Sequence, residues 1–221
     1  MKFSPRARLL SVAAAALLSA CMNTGTTEVS SGPFYTITAS VADSTKIAAG
    51  SIVVVRATVK HETTAVANAA VGWLVKAGGG KVNVTTTATD TLGQTSVQWL
   101  LSDSTGINTL IMGSGDAADT ISVIAVVGTP VYLLAVGIDS VNTTVGTTVT
   151  LQARVTDRVG NNVVGTAVNW VTTGGAVTPA TIPTVTGGIS QVGYSYPTAG
   201  TYFVTATLPG QATHTYTIVV R

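Results

Sequence analysis

The chain has 221 residues, of which 9% are charged, 46% hydrophobic and 5% aromatic. That length allows one or two domains. Its formal charge of +2 is misleading, because Lys2, Arg6 and Arg8 lie in the first eight residues and without them 8 basic side chains face 9 acidic ones. A near-neutral body offers no electrostatic footprint for nucleic acid, so that class of partner is excluded.

The chain opens with the basic segment MKFSPRAR, followed by LLSVAAAALLSA, an apolar run of twelve residues. A helix needs about 20 residues to span a bilayer, so this run is too short. Basic, then apolar, then small residues is the grammar of a secretory signal. Leu18, Ser19 and Ala20 precede Cys21, the only cysteine in the chain. These four residues resemble the bacterial lipobox. The resemblance implies cleavage before Cys21 and a diacylglycerol on its thiol, the strongest nucleophile of the segment. With no second cysteine, Cys21 cannot form an internal disulfide. Lipid chains bury methylenes worth about 0.8 kcal/mol each, which makes a stable anchor. Met22, rather than Asp, follows the cysteine; in enterobacterial-type lipoproteins that implies the outer membrane. The next stretch, MNTGTTEVSSGP, is small and polar and reads as a flexible tether.

From residue 36 onward the sequence repeats itself. GSIVVVRATV (50–59) matches GTTVTLQARV (146–155), and AAVGWLVKAGGG (69–80) matches TAVNWVTTGGA (166–176). GQTSVQWLL (93–101), GINTLIMG (106–113) and TISVIA (120–125) match GISQVGYSY (188–196), GTYFVTAT (200–207) and TYTIVV (215–220). The order is kept while the offset drifts between 97 and 94. Each segment alternates with period two, the mark of a half-buried strand. One face carries Val53, Val55, Ala57 and Val59, another Val71, Trp73 and Val75, a third Val97, Trp99 and Leu101. The second copy supplies Val149, Leu151, Ala153 and Val155, then Val168, Trp170 and Thr172, then Val192, Tyr194 and Tyr196. A first strand is read as Ile37, Ala39 and Val41, against Leu134, Val136 and Ile138. Turn signals such as AGGG, TDTLG, DSTG, VGNN and PTAG separate the strands.

Short strands at this spacing, with an inward tryptophan on the third, predict an all-β chain of two tandem antiparallel sandwiches of about 90 residues each. The expected organisation is a signal peptide at 1–20, a tether at 21–35, one domain at 36–127, a linker at 128–131 and a second domain at 132–221. Trp73, Trp170, Trp99 and Tyr194 are the predicted core plugs. VRATVKHETTAVANAAVGWLV and TDTLGQTSVQW in the first copy, with LQARVTDRVGNNVVGTAVNWV and AGTYFVTAT in the second, resemble bacterial immunoglobulin-like repeats of the invasin/intimin kind. The resemblance implies spacers and adhesive stalks on bacterial surfaces. The chain lacks that family's outer-membrane barrel and its cysteine-bearing lectin-like cap, so no receptor-binding residue carries over.

Few residues carry a pattern suited to chemistry. His61 and His214 fall in different copies at turns or strand edges, with no partner at metal-ligand spacing. There is no nucleophile elbow, no phosphate-cradling glycine motif and no Cys–His pair. Asp116 and Asp119 share a loop and Asp103 precedes another, too few carboxylates for calcium. Asp90 and Asp157 read as turn formers, Tyr202 as a corner tyrosine, and the serines and threonines as outward strand positions. The reading is a non-enzymatic, lipid-anchored envelope protein without a cofactor. Its membrane partner is reached through Cys21, and a protein or glycan partner would meet end loops or strand edges. A carbohydrate-binding module is the alternative.

Overall fold

A computed structural model describes residues 35–41, 46–175, 177, 179–210 and 212–221. The predicted signal peptide, the lipobox residues Leu18, Ser19 and Ala20, and Cys21 lie outside the described residues.

The first copy forms two facing sheets. One is ordered β1 (Tyr35–Val41), β3 (Ile52–His61), β8 (Gln94–Leu100), β6 (Lys81–Val82), with β4 (Thr64–Ala65) also paired to β3. The other is ordered β2 (Lys46–Ala48), β10 (Ala117–Val126), β9 (Gly106–Ser114), β5 (Ala70–Ala77), β7 (Thr86–Ala88). The second copy repeats the plan. One sheet runs β11 (Tyr132–Val136), β13 (Val149–Thr156), β16 (Ile189–Tyr194), and the other β12 (Ser140–Thr143), β18 (Ala212–Val220), β17 (Gly200–Leu208), β14 (Ala167–Thr172), β15 (Thr181–Pro183). Pairings are antiparallel except two. In each copy the second strand lies parallel to the last, β2 on β10 and β12 on β18. The opening strand segment is thus divided between the two sheets. This is an immunoglobulin-like sandwich, made twice in tandem.

Each copy encloses its own core. The first gathers Val55, Val59, Val71, Trp73, Val97, Trp99, Leu110, Met112 and Val123. The second gathers Leu151, Val155, Val168, Trp170, Val192, Tyr194, Val204, Tyr216 and Ile218. Trp73, Trp99, Trp170 and Tyr194 are all buried. Trp73 and Trp170 occupy matching places, and each indole N–H finds a hydroxyl. Trp73 Nε1 donates to Thr87 Oγ1 at 2.8 Å, and Trp170 Nε1 to Ser190 Oγ at 3.0 Å. Trp170 also stacks on Tyr216, ring centroids 5.9 Å apart.

Two expectations are corrected. The first concerns β11, where Leu134 is 51% exposed and Leu133 is 6% exposed, so the inward phase is Leu133 and Ala135. The run Tyr-Leu-Leu-Ala-Val has no polar beat to mark its phase. Pairing with β13 sets it, Leu133 opposite Val155 and Ala135 opposite Ala153. The second concerns hydroxyl side chains, several of which are buried rather than outward. Thr89 Oγ1 accepts from Ala69 N and donates to Val66 O; Thr184 Oγ1 accepts from Thr166 N and donates to Val163 O. Backbone bonds complete the same knot in both copies, Thr89 N to Ala69 O and Thr184 N to Thr166 O. A buried backbone carbonyl and amide are satisfied together by one small side chain.

Trp73→Ala or Trp170→Ala is expected to lose about 3–5 kcal/mol through cavity formation, read by thermal or denaturant melting. Thr184→Val keeps the shape but orphans a buried donor and acceptor, an expected loss of about 1–3 kcal/mol in the same measurement.

Candidate functional site

The described residues hold no group of three or more His, Cys, Asp or Glu side chains able to grip a metal. No helix among them is long and apolar enough to cross a membrane. Several polar side chains serve the framework. Asp90 Oδ1 accepts from the N–H groups of Leu92 and Gln94, closing the TDTLG turn. Asp119 Oδ2 accepts from Ala39 N at 2.8 Å, and Asp116 Oδ1 from Tyr35 N at 3.4 Å, which tie β1 to the β9–β10 hairpin. His61 is exposed at the end of β3. His214 has more company than a turn residue. Its Nε2 lies 3.2 Å from Asp139 Oδ1, and its ring packs edge-on against Tyr216. Tyr216 donates to Gln152 O at 2.6 Å; burial, with a lesser contribution from Asp139, pushes its hydroxyl up to about 12.

Three surface regions carry features that packing alone does not require. The first is the outer face of β14, β17 and β18. Alternation turns Phe203, Thr205, Thr207, Thr213, Thr215 and Thr217 outward there. Thr205 and Thr215 face each other with hydroxyls 3.0 Å apart, and Phe203, opposite Thr217, is 44% exposed. These three strands contain no Lys, Arg, Asp or Glu.

The second region is the far end of the second sandwich. Tyr202 donates to Thr198 O at 3.1 Å, the backward bond of a corner tyrosine. Tyr196, half-buried rather than fully inward, sits against it with ring centroids 4.5 Å apart. The pair needs bare backbone beside it, since a Cβ on Gly174 would lie 2.4 Å from the Tyr202 ring. In the first copy Asn108 stands at the corner position. It is fully buried, accepts from Ser102 N and donates to Gly106 O, and a Cβ on Gly78 would meet it at 2.7 Å. Sequence reasoning passed over Asn108. Its place opposite Tyr202 in the aligned copies was the available signal.

The third region is the joint between the copies, built by the loop TDRVGN of the second. Asp157 is only 2% exposed. Its Oδ1 accepts from Val159 N and Asn161 N, and its Oδ2 from Asn161 Nδ2 and from Gly128 N in the linker. Burial raises the Asp157 carboxyl, but these four donors outweigh it, and the group sits below its ordinary value. The neighbouring residues reach across. Arg158 Nη2 donates to Gly50 O at 2.9 Å, and Asn161 Nδ2 donates to Asp103 O at 2.8 Å. Val159 rests on Gly50, where an added Cβ would come within 2.5 Å of its methyl. Gly50 has φ +69°, so both its conformation and its neighbour favour glycine.

No family model matches the chain, and no curated protein is similar enough in sequence to count as a relative. Similar solved structures do exist. The D0–D1 domain of intimin is 22% identical over 84% of this chain and 94% of that one, with a TM-score of 0.36. Invasin, described as a bacterial integrin-binding protein, is 20% identical over 83% of this chain and 39% of its own, with a TM-score of 0.45. The D00–D0 domain of intimin is 13% identical over 83% and 99%, with a TM-score of 0.47. The sheets themselves have the immunoglobulin-like order.

A carboxylate with a lowered pKa stabilises the fold above its ordinary titration range, and that contribution is lost as pH falls through the lowered value. Melting temperature followed from neutral pH to about pH 2 should therefore fall in acid. Asp157→Asn should melt lower at neutral pH and show a shallower acid loss. An acid limb unchanged by the substitution would remove Asp157 from it.

Proposed function

We propose that this chain is a non-enzymatic, lipid-anchored protein of the bacterial cell envelope, whose paired sandwiches form a structural and adhesive stalk. The observation that carries the reading is that two complete sandwiches meet through a buried, hydrogen-bonded joint, while Asp90, Asp157, Thr89 and Thr184 are spent on turns and knots. Each copy has its own first and last strands, so neither needs a strand from another chain. In this reading Cys21 carries the lipid, residues 22–33 give reach, and the sandwiches project a surface from the outer membrane. A protein partner would be met at end loops or strand edges, where backbone groups can pair with an incoming strand.

A second reading, a carbohydrate- or polysaccharide-binding module, is favoured by the uncharged face of β14, β17 and β18. Exposed hydroxyls can bond neutral sugars there, and Phe203 offers a ring on which a sugar face can stack. Phe203→Ala would abolish retention on a glycan array if this reading is right. It would leave retention unchanged, or find none to lose, if it is wrong.

Protease treatment of intact cells tests the leading reading, with lysed cells and a Cys21→Ser variant alongside. The stalk reading expects digestion on intact cells and release of the Cys21→Ser protein from the membrane fraction. Protection until lysis would move the sandwiches to the periplasm. Membrane retention of the variant would remove the lipid anchor.

A further inference from the structure

The linker between the copies, residues 128–131, is short, but it is not what specifies the joint. The cross-joint bonds come from the side chains of one loop, and they are received by backbone carbonyls, with the Asp103 carboxylate beside Gly50. Gly50 and Asp103 offer carbonyl oxygens, and Gly50 offers a Cα with no side chain. The loop answers each in kind, with the Arg158 guanidinium and Asn161 amide as donors and the Val159 methyl laid on the glycine. Asp157 holds Val159 and Asn161 in place from within, because its carboxylate binds the N–H groups of both and the Asn161 amide. The same carboxylate takes Gly128 N, so the linker is also fastened to the loop.

The other copy shows that this is not a general property of the repeat. Register through β3 and β13 places His61 and Glu62 where the second copy has Asp157 and Arg158, and the closing pairs Lys60 with Ala65 and Thr156 with Asn162 place Thr64 where it has Asn161, the first loop being one residue shorter. The carboxylate at the head of the loop is replaced, the cation becomes an acid, and the terminal amide is lost. On the receiving side, Gly50 is matched by Gly146, while the neighbouring backbone turn carries Tyr196 in place of Ser102, as the bonds Gly50 N to Ser102 O and Gly146 N to Tyr196 O show. The loop with its three contact residues is present once, and the receiving ends differ in the side chain beside the glycine.

We propose that residues 157–161 are a key, that the end of the first sandwich around Gly50 and Asp103 is the surface it fits, and that this pairing rather than the linker sets the angle between the sandwiches. The arrangement is ordered, since only the loop of the second copy has the donors. This goes beyond the stalk reading. A loose joint would sink it while leaving anchoring and surface exposure untouched.

The test is a distance distribution between two spin labels on the full chain carrying Cys21→Ser, with Ser96→Cys and Thr213→Cys as label sites on exposed strand positions of the two sandwiches. One narrow distance is expected. Arg158→Ala with Asn161→Ala should lose that peak and give a broad spread, with melting of the sandwiches largely kept. Gly50→Val should do the same by pushing Val159 away. Thr129→Gly, which loosens only the linker, should leave the peak narrow. A broad distribution in the parent, a narrow one in the double variant, or equal broadening from Thr129→Gly would overturn the proposal. If Gly50→Val fails to fold, the double variant still decides, because its side chains lie outside both cores.

Discussion

Burying one indole in each sandwich shapes much of the rest. Trp73 and Trp170 project from equivalent strands into the space between the sheets, and each brings an N–H that must be satisfied away from water. In the first copy the acceptor is Thr87 on the neighbouring edge strand. In the second it is Ser190 on the opposite sheet, which passes its own proton to Ile182 O. The same chemistry joins different elements, so the two cores are pinned differently although their valine and alanine linings match. Trp99 shows the other outcome: its Nε1 is buried without a partner among the described residues, whereas Tyr194, at the matching place, donates to Gly174 O at 2.9 Å. An orphaned buried donor costs about 1–3 kcal/mol, so the first sandwich carries a burden that the second avoids.

Scarcity of charge explains how these cores and loops are satisfied. With few ionic side chains to spend, the chain relies on hydroxyls and amides. Threonine closes the loop knots, asparagine or tyrosine closes the corner, and Asp90 and Asp157 sit where several N–H groups of a turn converge. Asp90 and Asp157 begin the same kind of turn, yet only Asp157 also reaches a second segment of chain. Its burial follows from that reach, since the loop is pressed against the first sandwich.

Much of the architecture was legible because alternation and repetition are properties of the sequence itself. The inward tryptophans, the β3 and β13 faces and the turn aspartates all announce themselves by period and by position in two copies. What stayed hidden has identifiable causes. The phase of β11 was unreadable because two leucines stand side by side, and a uniform apolar run has no polar marker. Thr89 and Thr184 looked like ordinary strand threonines, because nothing local says that a backbone amide and carbonyl from about twenty residues away will converge on them. The joint was hidden for a related reason. Gly50 and Val159 are more than a hundred residues apart, and a glycine needed for a contact looks the same as one needed for a turn.

The parallel seams carry a mechanical consequence. In each sandwich the incoming chain runs as β2 or β12 beside the outgoing β10 or β18, with Ile47 opposite Ala125 and Val141 opposite Ile218. Tension applied at the two ends of a module would drag these neighbours past each other lengthwise. The rungs between them then bear the load together instead of tearing open one at a time, as they would at the mouth of a hairpin. A module wired this way resists stretching more than its modest size suggests, and the seam rather than the core is where it would first give.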